Sequence, residues 1–366
     1  MKSVRIDKTF LFITLALIGF GSLIFFSASL GLLARASADY SKIAFSQAIL
    51  GLCLGTVALI VAARLDYHIW KRLAFYILLV AIILNVLVLV PSIGIAHGGA
   101  RRWLELGPFS FQPSEVLKFA FIIYFAAWLS AKKEKVRTFS GGFLPLVVLL
   151  ALVGGLLLSQ PDTDTFLIIV TTGVAMFIAA GGRWRWVITL GVIGVLGVVG
   201  LALTRPYVMK RITTFLNPAT DSLGASYQIQ QSLIAVGSGG LLGRGFGQSI
   251  QKFTYLPEPV GDSIFAVAAE EFGFVGSITL IALFSLFATR GLKIASGTPK
   301  AFARLTVVGI VIMIISQAFV NIGAMLGVLP LSGITLPFVS HGGTSLFMSL
   351  FEAGIVLSIS RTIPKS

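Results

Sequence analysis

The sequence predicts an all-α polytopic membrane protein of about ten transmembrane helices, and three observations carry that prediction. Hydrophobic residues make up 56% of the 366 positions and charged residues only 11%, against about a quarter charged in an ordinary soluble domain. The apolar residues are gathered into runs of roughly the 20 residues a helix needs to cross a bilayer. The basic residues fall between those runs. A net charge of +14 would point to nucleic acid in a soluble chain, but cations placed between apolar runs report topology instead. No nucleic-acid partner is expected.

Taken in order, the spans run from Phe10 to Leu33, Ile43 to Ala63, Leu73 to Val90, Ser114 to Ser130, Gly142 to Ser159, Thr163 to Ala180, Trp186 to Thr204, Ser263 to Thr289, Ala303 to Gly327 and Pro337 to Ser360. The fifth and sixth are separated only by Gln160, Pro161 and Asp162. The first run is too long for the apolar core of a signal peptide, so no cleavable leader is expected. The single cysteine, Cys53, lies inside a span, which leaves neither a disulfide framework nor a thiol metal site.

With the amino terminus placed in the cytoplasm, eighteen of the 28 basic residues fall on the cytoplasmic side. Nine fall outside, namely Arg35, Lys42, Arg101, Arg102, Arg205, Lys210, Arg211, Arg244 and Lys252. Both termini are then cytoplasmic. Of the 14 acidic residues only Asp7, Asp66 and Glu134 lie in cytoplasmic segments. The positive-inside rule does not place acids, so the carboxylates gathered at the outer side point to chemistry there.

One long segment, Arg205 to Asp262, interrupts the spans between the seventh and the eighth. Its aromatic residues Tyr207, Phe215, Tyr227, Phe246, Phe253 and Tyr255 argue for an ordered loop on the outer membrane face. Within it, Tyr227 to Val236 carries Ile229, Leu233 and Val236 at helical spacing. The glycine-rich run GSGGLLGRGFGQS, Gly237 to Ser249, follows no strand and opens no βαβ unit, which argues against a nucleotide cradle. It fits a tight turn that lets backbone approach a membrane-embedded element, or a lipid diphosphate.

Charges predicted inside spans each cost about 2.5 to 3.5 kcal/mol at mid-bilayer and need a partner or a cavity. Glu115 and Lys118, at i, i+3 on the fourth span, form a salt bridge that eases insertion, or Lys118 faces a cavity and binds an anionic headgroup. Glu270 and Glu271 follow Asp262 by eight and nine residues, which turns Glu270 about 80° from the Asp262 direction and Glu271 to the opposite side. Glu270 is expected to share a cavity with Asp262, and Glu271 to need a separate polar partner. Glu352, in the last span, reads as structural.

Four segments set polar residues beside helix breakers at the outer level: GGARRWLELGPFSFQPSE (Gly98 to Glu115), QPDTDT (Gln160 to Thr165), KFTYLPEPVGDSIFAVAAEE (Lys252 to Glu271) and LPFVSHGGTS (Leu336 to Ser345). Together they are expected to enclose one outward-facing polar cavity. These stretches, with SYQIQQSLIAVGSGGLLGRGFGQS (Ser226 to Ser249) and GFGSLIFFSAS (Gly19 to Ser29), resemble the signature segments of the SEDS proteins, the shape, elongation, division and sporulation family that includes FtsW and RodA. The likeness covers essentially the whole chain, so residues 1–366 read as a single SEDS-type transmembrane domain with 205–262 as its long extracytoplasmic loop.

The resemblance implies a multi-pass protein of the bacterial cytoplasmic membrane that polymerises lipid II, the undecaprenyl-diphosphate-linked disaccharide pentapeptide, at the outer face. It places the essential carboxylate on Asp262, as general base for an inverting attack with undecaprenyl diphosphate as leaving group. Arg102 and Lys118 occupy the family's motif positions and are favoured to bind the diphosphate. Arg205, Lys210, Arg244 and Lys252 are further cations, and Glu115, Asp162, Glu258, Ser340, Gly342 and Gly343 complete the expected substrate contacts. A divalent cation, Mg or Mn, is an optional source of charge neutralisation. The stretch QSIQKFTYLPE (Gln248 to Glu258) looks more like the division type than the elongation type.

The implied partners are a class B penicillin-binding protein transpeptidase and other membrane proteins of the division or elongation machinery. A lipid II flippase and a non-catalytic division scaffold are the competing classes. The chain departs from the family pattern at Pro259, Val260, Gly261 and Ser263 around the aspartate, at Asp164 after QPD, and at His341, where a tyrosine is usual. His341 is expected to pack or hydrogen-bond rather than bind metal.

Overall fold

The structure, a computed structural model, describes the chain except for residues 1–5, 35–39, 98–99, 107–108, 205, 217–224 and 364–366. Of the cations expected outside, Arg35 and Arg205 therefore lie outside the described residues. Among the described residues nine helices are long and apolar enough to cross a membrane, and Thr163–Ala179 is a shorter apolar tenth. A helix stands at each of the ten expected positions, nine of them of spanning length, and the chain is a multi-pass membrane protein.

Helix α1 (Lys8–Ser29) starts where the Asp7 carboxylate accepts the Phe10 N–H at 2.8 Å, and a 3-10 turn (Leu30–Ala34) continues it. The second span, Ile43–Arg64, joins α2 (Tyr40–Phe45) to α3 (Gly55–Arg64) through a π-helical stretch, Ser46–Leu54. Then come α4 (His68–Leu89), α5 (Pro113–Ala131), α6 (Leu144–Ser159), α7 (Thr163–Ala179) and α8 (Trp184–Thr204). The long segment folds into α9 (Pro206–Leu216), α10 (Ala225–Ser238) and the single turn α11 (Gln251–Thr254). Helices α12 (Ile264–Gly297), α13 (Ala301–Met325) and α14 (Gly343–Ser360) complete the chain.

Helix α13 lies at the centre, packed against α5, α7, α12 and α14. With little hydrophobic drive between helices in lipid, such packing depends on close approach. At Gly354 of α14 a Cβ would stand 2.5 Å from the Leu59 carbonyl of α3. By contrast α8 buries only Ala202, and Ile188, Val192, Val195 and Leu196 are bare, as suits a lipid-facing surface.

The tenth span begins at Gly343 rather than Pro337, because the preceding residues form an irregular turn over the site. Helix α12 extends past Thr289 to Gly297. Its 34 residues would reach about 51 Å, well over the ~30 Å hydrocarbon core, and a break at Gly273 relieves the excess. One further element leaves no periodic signal in the sequence. Between α4 and α5 the chain forms an antiparallel sheet of β1 (Gly94–His97), β2 (Ala100–Leu106) and β3 (Phe109–Phe111), in the order β1-β2-β3.

The long segment packs as expected of an ordered loop, α10 lying on α12 and α13. Its inward face is a correction in detail. Ser226, Ile229, Ser232 and Ala235 are buried, whereas Leu233 is exposed, so the face follows i+3 steps through two serines that an apolar count passes over. Ser232 donates to the Gln228 carbonyl at 2.8 Å and so satisfies itself within the helix.

The start of α1 and the end of α14 meet at one face. The Asp7 N–H donates to Ser360 Oγ at 3.0 Å, and the Asp7 carboxylate pairs with Arg290 Nη2 at 2.7 Å. Arg290 lies far along α12 from Asp262, so Asp262 sits toward the opposite face of the bundle.

Candidate functional site

Asp262 stands one residue before the N-cap of α12, half-buried beneath the turn that leads into α14. Its backbone is held from two sides. Asn321 of α13 donates from Nδ2 to the Asp262 carbonyl at 2.9 Å and to the Ile334 carbonyl at 2.8 Å. Ser340 donates to the Gly261 carbonyl at 2.8 Å and accepts the Leu336 N–H at 2.7 Å. The His341 N–H reaches the Val260 carbonyl at 2.6 Å, and Gln228 reaches Ser263 Oγ at 3.0 Å. Gly333 lies next to the carboxylate, where a Cβ would make ordinary contact, 3.7 Å from Asp262 Oδ2.

The carboxyl of Asp262 is pushed up to about 7. Burial is the main cause, and the negative charges of Glu258 and Asp164 add to it. Arg102 and Arg211 pull in the opposite direction, which places both guanidinium groups within electrostatic reach of the carboxylate.

Arg102 arrives on β2. Side chains alternate along a strand, so Arg102 shares a face with the buried Leu104 while Arg101 points to the exposed side. Its guanidinium caps the turn between α6 and α7, with Nε donating to the Gln160 carbonyl at 3.2 Å and Nη2 to that of Pro161. Nη1 stands 3.8 Å from Asp162 Oδ1. Asp162 is buried, with Oδ2 left without a hydrogen-bond partner, and burial raises its carboxyl above the usual range against the pull of Arg102.

Arg211 of α9 pairs with Asp164 through Nη1, at 2.7 Å from Oδ2 and 2.9 Å from Oδ1, and Asp164 also accepts the Gly333 N–H at 3.2 Å. Asp164, a departure from the family pattern, thus ties α7 to the loop segment and to the turn before α14. Arg211 was counted only among the available cations. Its neighbour Lys210, an expected substrate contact, engages a partner of its own.

Lys118 lies deeper, buried on α5. Its Nζ is 2.9 Å from Glu115 Oε1 and donates to Gln317 Oε1 at 2.7 Å. Gln317 in turn donates to the Thr335 carbonyl at 2.9 Å, and Thr335 Oγ1 lies 3.1 Å from Ser345 Oγ. The expected Glu115–Lys118 pair is formed, and a polar chain connects it to the turn over Asp262. Gln317 and Asn321 escaped the sequence reading, although two amides four residues apart in an otherwise apolar span were the available signal.

Three expectations need correction. Glu270 does not share a cavity with Asp262; it accepts the Ile250 N–H at 3.0 Å and the Ser249 hydroxyl, and it pairs with Arg244 Nε at 3.4 Å. Arg244 is therefore engaged by a buried carboxylate. Lys252 is wholly buried 2.6 Å from Glu271, which supplies the separate partner that Glu271 needed and removes Lys252 from any substrate surface. Gly342 and Gly343 serve packing: the Gly342 N–H donates to Gln47 Oε1 at 3.1 Å, and a Cβ on Gly343 would meet Ser46 Oγ at 2.8 Å.

Ser340 likewise faces the Asp262 backbone. Glu258 is exposed beside Asp262, at positive φ. His341 stacks on Phe25 with ring centroids 6.2 Å apart, and burial lowers it to about 4, so the ring is neutral at pH 7 and serves packing as expected. Among the described residues no three histidine, cysteine or carboxylate side chains converge to hold a metal ion.

The site thus offers one carboxyl titrating near neutrality, within electrostatic reach of two guanidinium groups and under a polar turn. The family model for the FtsW, RodA and SpoVE proteins, described as cell cycle proteins, matches residues 8–364. Stage V sporulation protein E of Bacillus subtilis is 41% identical over 360 residues, which cover 98% of each chain. A probable peptidoglycan glycosyltransferase FtsW of Trichlorobacter lovleyi is 40% identical over 97% of this chain and 93% of its own.

Among solved structures, a chain from a study of polymerization and crosslinking by a peptidoglycan synthase complex superposes with a TM-score of 0.81 at 28% identity, covering 97% of this chain and 98% of that one. The rod shape determining protein RodA of Thermus thermophilus superposes with a TM-score of 0.69 at 26% identity over the whole of both chains. The chain belongs to the FtsW/RodA/SpoVE family, the SEDS proteins.

Proposed function

We propose that this chain is a peptidoglycan glycosyltransferase that polymerises lipid II at the outer face of the cytoplasmic membrane. The observation that carries the reading is the placement of Asp262, held by Asn321 and Ser340 under the turn before α14 and within electrostatic reach of Arg102 and Arg211, with its carboxyl pushed up to about 7. A base is most useful when its pKa lies near the working pH, because it is then both largely deprotonated and strong enough to accept a proton. The relatives named as probable peptidoglycan glycosyltransferases support the same activity.

In this mechanism the 4-hydroxyl of the acceptor GlcNAc attacks the anomeric carbon of the donor MurNAc. The hydroxyl proton passes to the Asp262 carboxylate as the new C–O bond forms. The bond from the anomeric carbon to the diphosphate oxygen breaks with inversion, and undecaprenyl diphosphate leaves with its electron pair. One in-line displacement suffices. Arg102 and Arg211 neutralise the charge that develops on the diphosphate, and fixed cations in a site of low dielectric supply this most effectively. Lys118, through Gln317 and Thr335, orders the turn above the base. Among the described residues no three histidine, cysteine or carboxylate side chains converge, and each step above is carried by residues of the chain itself.

The matches to FtsW and SpoVE proteins favour a division or sporulation role over elongation, and the peptidoglycan synthase complex among the neighbours supports a transpeptidase partner of the class B penicillin-binding type. The test is full-length protein in proteoliposomes containing labelled lipid II, with and without that partner, scored for glycan polymer and for lipid II translocation. Polymer formation that is lost in Asp262→Ala is the expected result. Translocation without polymer overturns the reading in favour of a flippase, and neither activity, with wild-type folding, favours a scaffold.

A further inference from the structure

We propose that the buried Lys252–Glu271 ion pair is a positioning element for Asp262, locking the short helical segment that carries it to α1. The proposal rests on the reading of Asp262 as the base. It starts from the break in α12, where Gly273 adopts φ 64° and ψ −161°. That conformation belongs to glycine, and a Cβ there would stand 2.3 Å from the Gly243 nitrogen. The residues from Ile264 to Phe272 are consequently not held in line by the helix that spans the membrane.

The glycine-rich loop fills the break with its own backbone. The Phe274 and Val275 N–H groups donate to the Gly240 and Leu241 carbonyls at 2.9 and 3.1 Å, and the Glu270 and Glu271 carbonyls accept the Arg244 and Gly245 N–H groups at 3.0 Å each. The loop thereby splints the break, bonded to the spanning part of α12 at Phe274 and Val275 and to the segment at Glu270 and Glu271, so that the segment's angle is set by one body of segment and loop. The side chains then fix that body to a neighbouring span. Lys252 Nζ lies 2.6 Å from Glu271 Oε1 and donates to the carbonyl and hydroxyl of Ser27 on α1 at 3.0 and 3.1 Å. The Ser27 hydroxyl donates to Glu271 Oε2 and accepts the Gly247 N–H at 3.0 Å.

Glu271 lies about 13 Å from Asp262 along the helix axis, at about 1.5 Å per residue, so the pair acts on the base only through the segment. The lever is long. Asp262 is about 16 Å from Gly273, and a tilt of about 4° there moves the carboxylate by roughly 1 Å, a misplacement that can cost about a hundredfold in rate. An apolar replacement of a buried ion pair is often neutral for stability, so the pair is better explained by the geometry it imposes than by the stability it adds.

The test measures polymerisation of labelled lipid II by the full-length protein, with its transpeptidase partner, in the double variant Lys252→Met/Glu271→Leu, with Asp262→Ala in parallel. The expected result is a thermal midpoint close to the parent's, a KM for lipid II within about twofold, and a kcat lowered at least about tenfold. Parental kcat, or a raised KM with kcat unchanged, overturns the proposal. Should the double variant fail to fold, Ser27→Ala removes the shared hydroxyl alone; kcat lowered about threefold or more at unchanged KM is expected, and an unchanged kcat overturns the proposal. Activity in Asp262→Ala would instead defeat the assignment of the base, whichever way the pair variants behave.

Discussion

Asn321 Nδ2 bridges two backbone carbonyls, that of Asp262 at 2.9 Å and that of Ile334 at 2.8 Å, and so pins the base to the turn that roofs it. Asn321 is itself buried at the centre of the bundle. Replacing it with leucine leaves two carbonyls unpaired, each costing about 1 to 3 kcal/mol. For Asn321→Leu we expect a kcat lowered by about tenfold or more with KM little changed, measured by lipid II polymerisation; equal loss in KM would place Asn321 on the substrate instead.

The pH dependence follows from the charges around Asp262. The rate should rise tenfold per pH unit below about 7 and level off above it, since the base must be ionised. Glu258 raises the carboxyl and Arg211 lowers it. Glu258→Gln should therefore move the acid limb of the pH–rate profile to lower pH, and Arg211→Gln should move it to higher pH while reducing kcat. Shifts in the same direction would contradict the electrostatic arrangement.

Stability carries the same signature with a fixed sign. The folded carboxyl of Asp262 titrates near 7 and the unfolded one near 3.8, so the folded protein holds the extra proton between those values. Stability then falls as pH rises through that window, and the cost is complete above it. Asp262→Asn should melt above the parent at pH 8 and level with it at pH 4, as read by thermal unfolding in detergent.

The buried Glu115–Lys118 pair makes a separable prediction. Removing one partner strands a buried charge, which typically costs about 3 to 5 kcal/mol. Glu115→Ala should lower the unfolding midpoint markedly, whereas Glu115→Leu/Lys118→Leu should recover much of that midpoint yet remain defective in polymerisation. Full activity in the double variant would remove Lys118 from the site.

What the sequence discloses depends on the physics behind each feature. The spans were legible because bilayer thickness imposes a length on apolar runs, and the Glu115–Lys118 pair because i, i+3 spacing fixes a helix face. Asp262 and Arg102 were reached through the resemblance, and strand alternation in β2 gives the reason Arg102 rather than Arg101 turns inward. The sheet itself was hidden, since three short strands leave no long periodic pattern. Lys252 was misassigned because cations on the outer side look alike in sequence, and only packing shows that it is wholly buried against Glu271. The break at Gly273 was invisible for a related reason: the loop that completes it lies some thirty residues earlier in the chain.

The central claim is that Asp262 removes the proton from the acceptor hydroxyl, and the pH–rate profile of lipid II polymerisation by the parent and by Asp262→Asn tests it most directly. The account predicts a limb near pH 7 in the parent, and in the variant a loss of about a hundredfold to ten-thousandfold with that limb gone. An Asp262→Asn protein that polymerises at the parental rate, or retains the limb near 7, would contradict it.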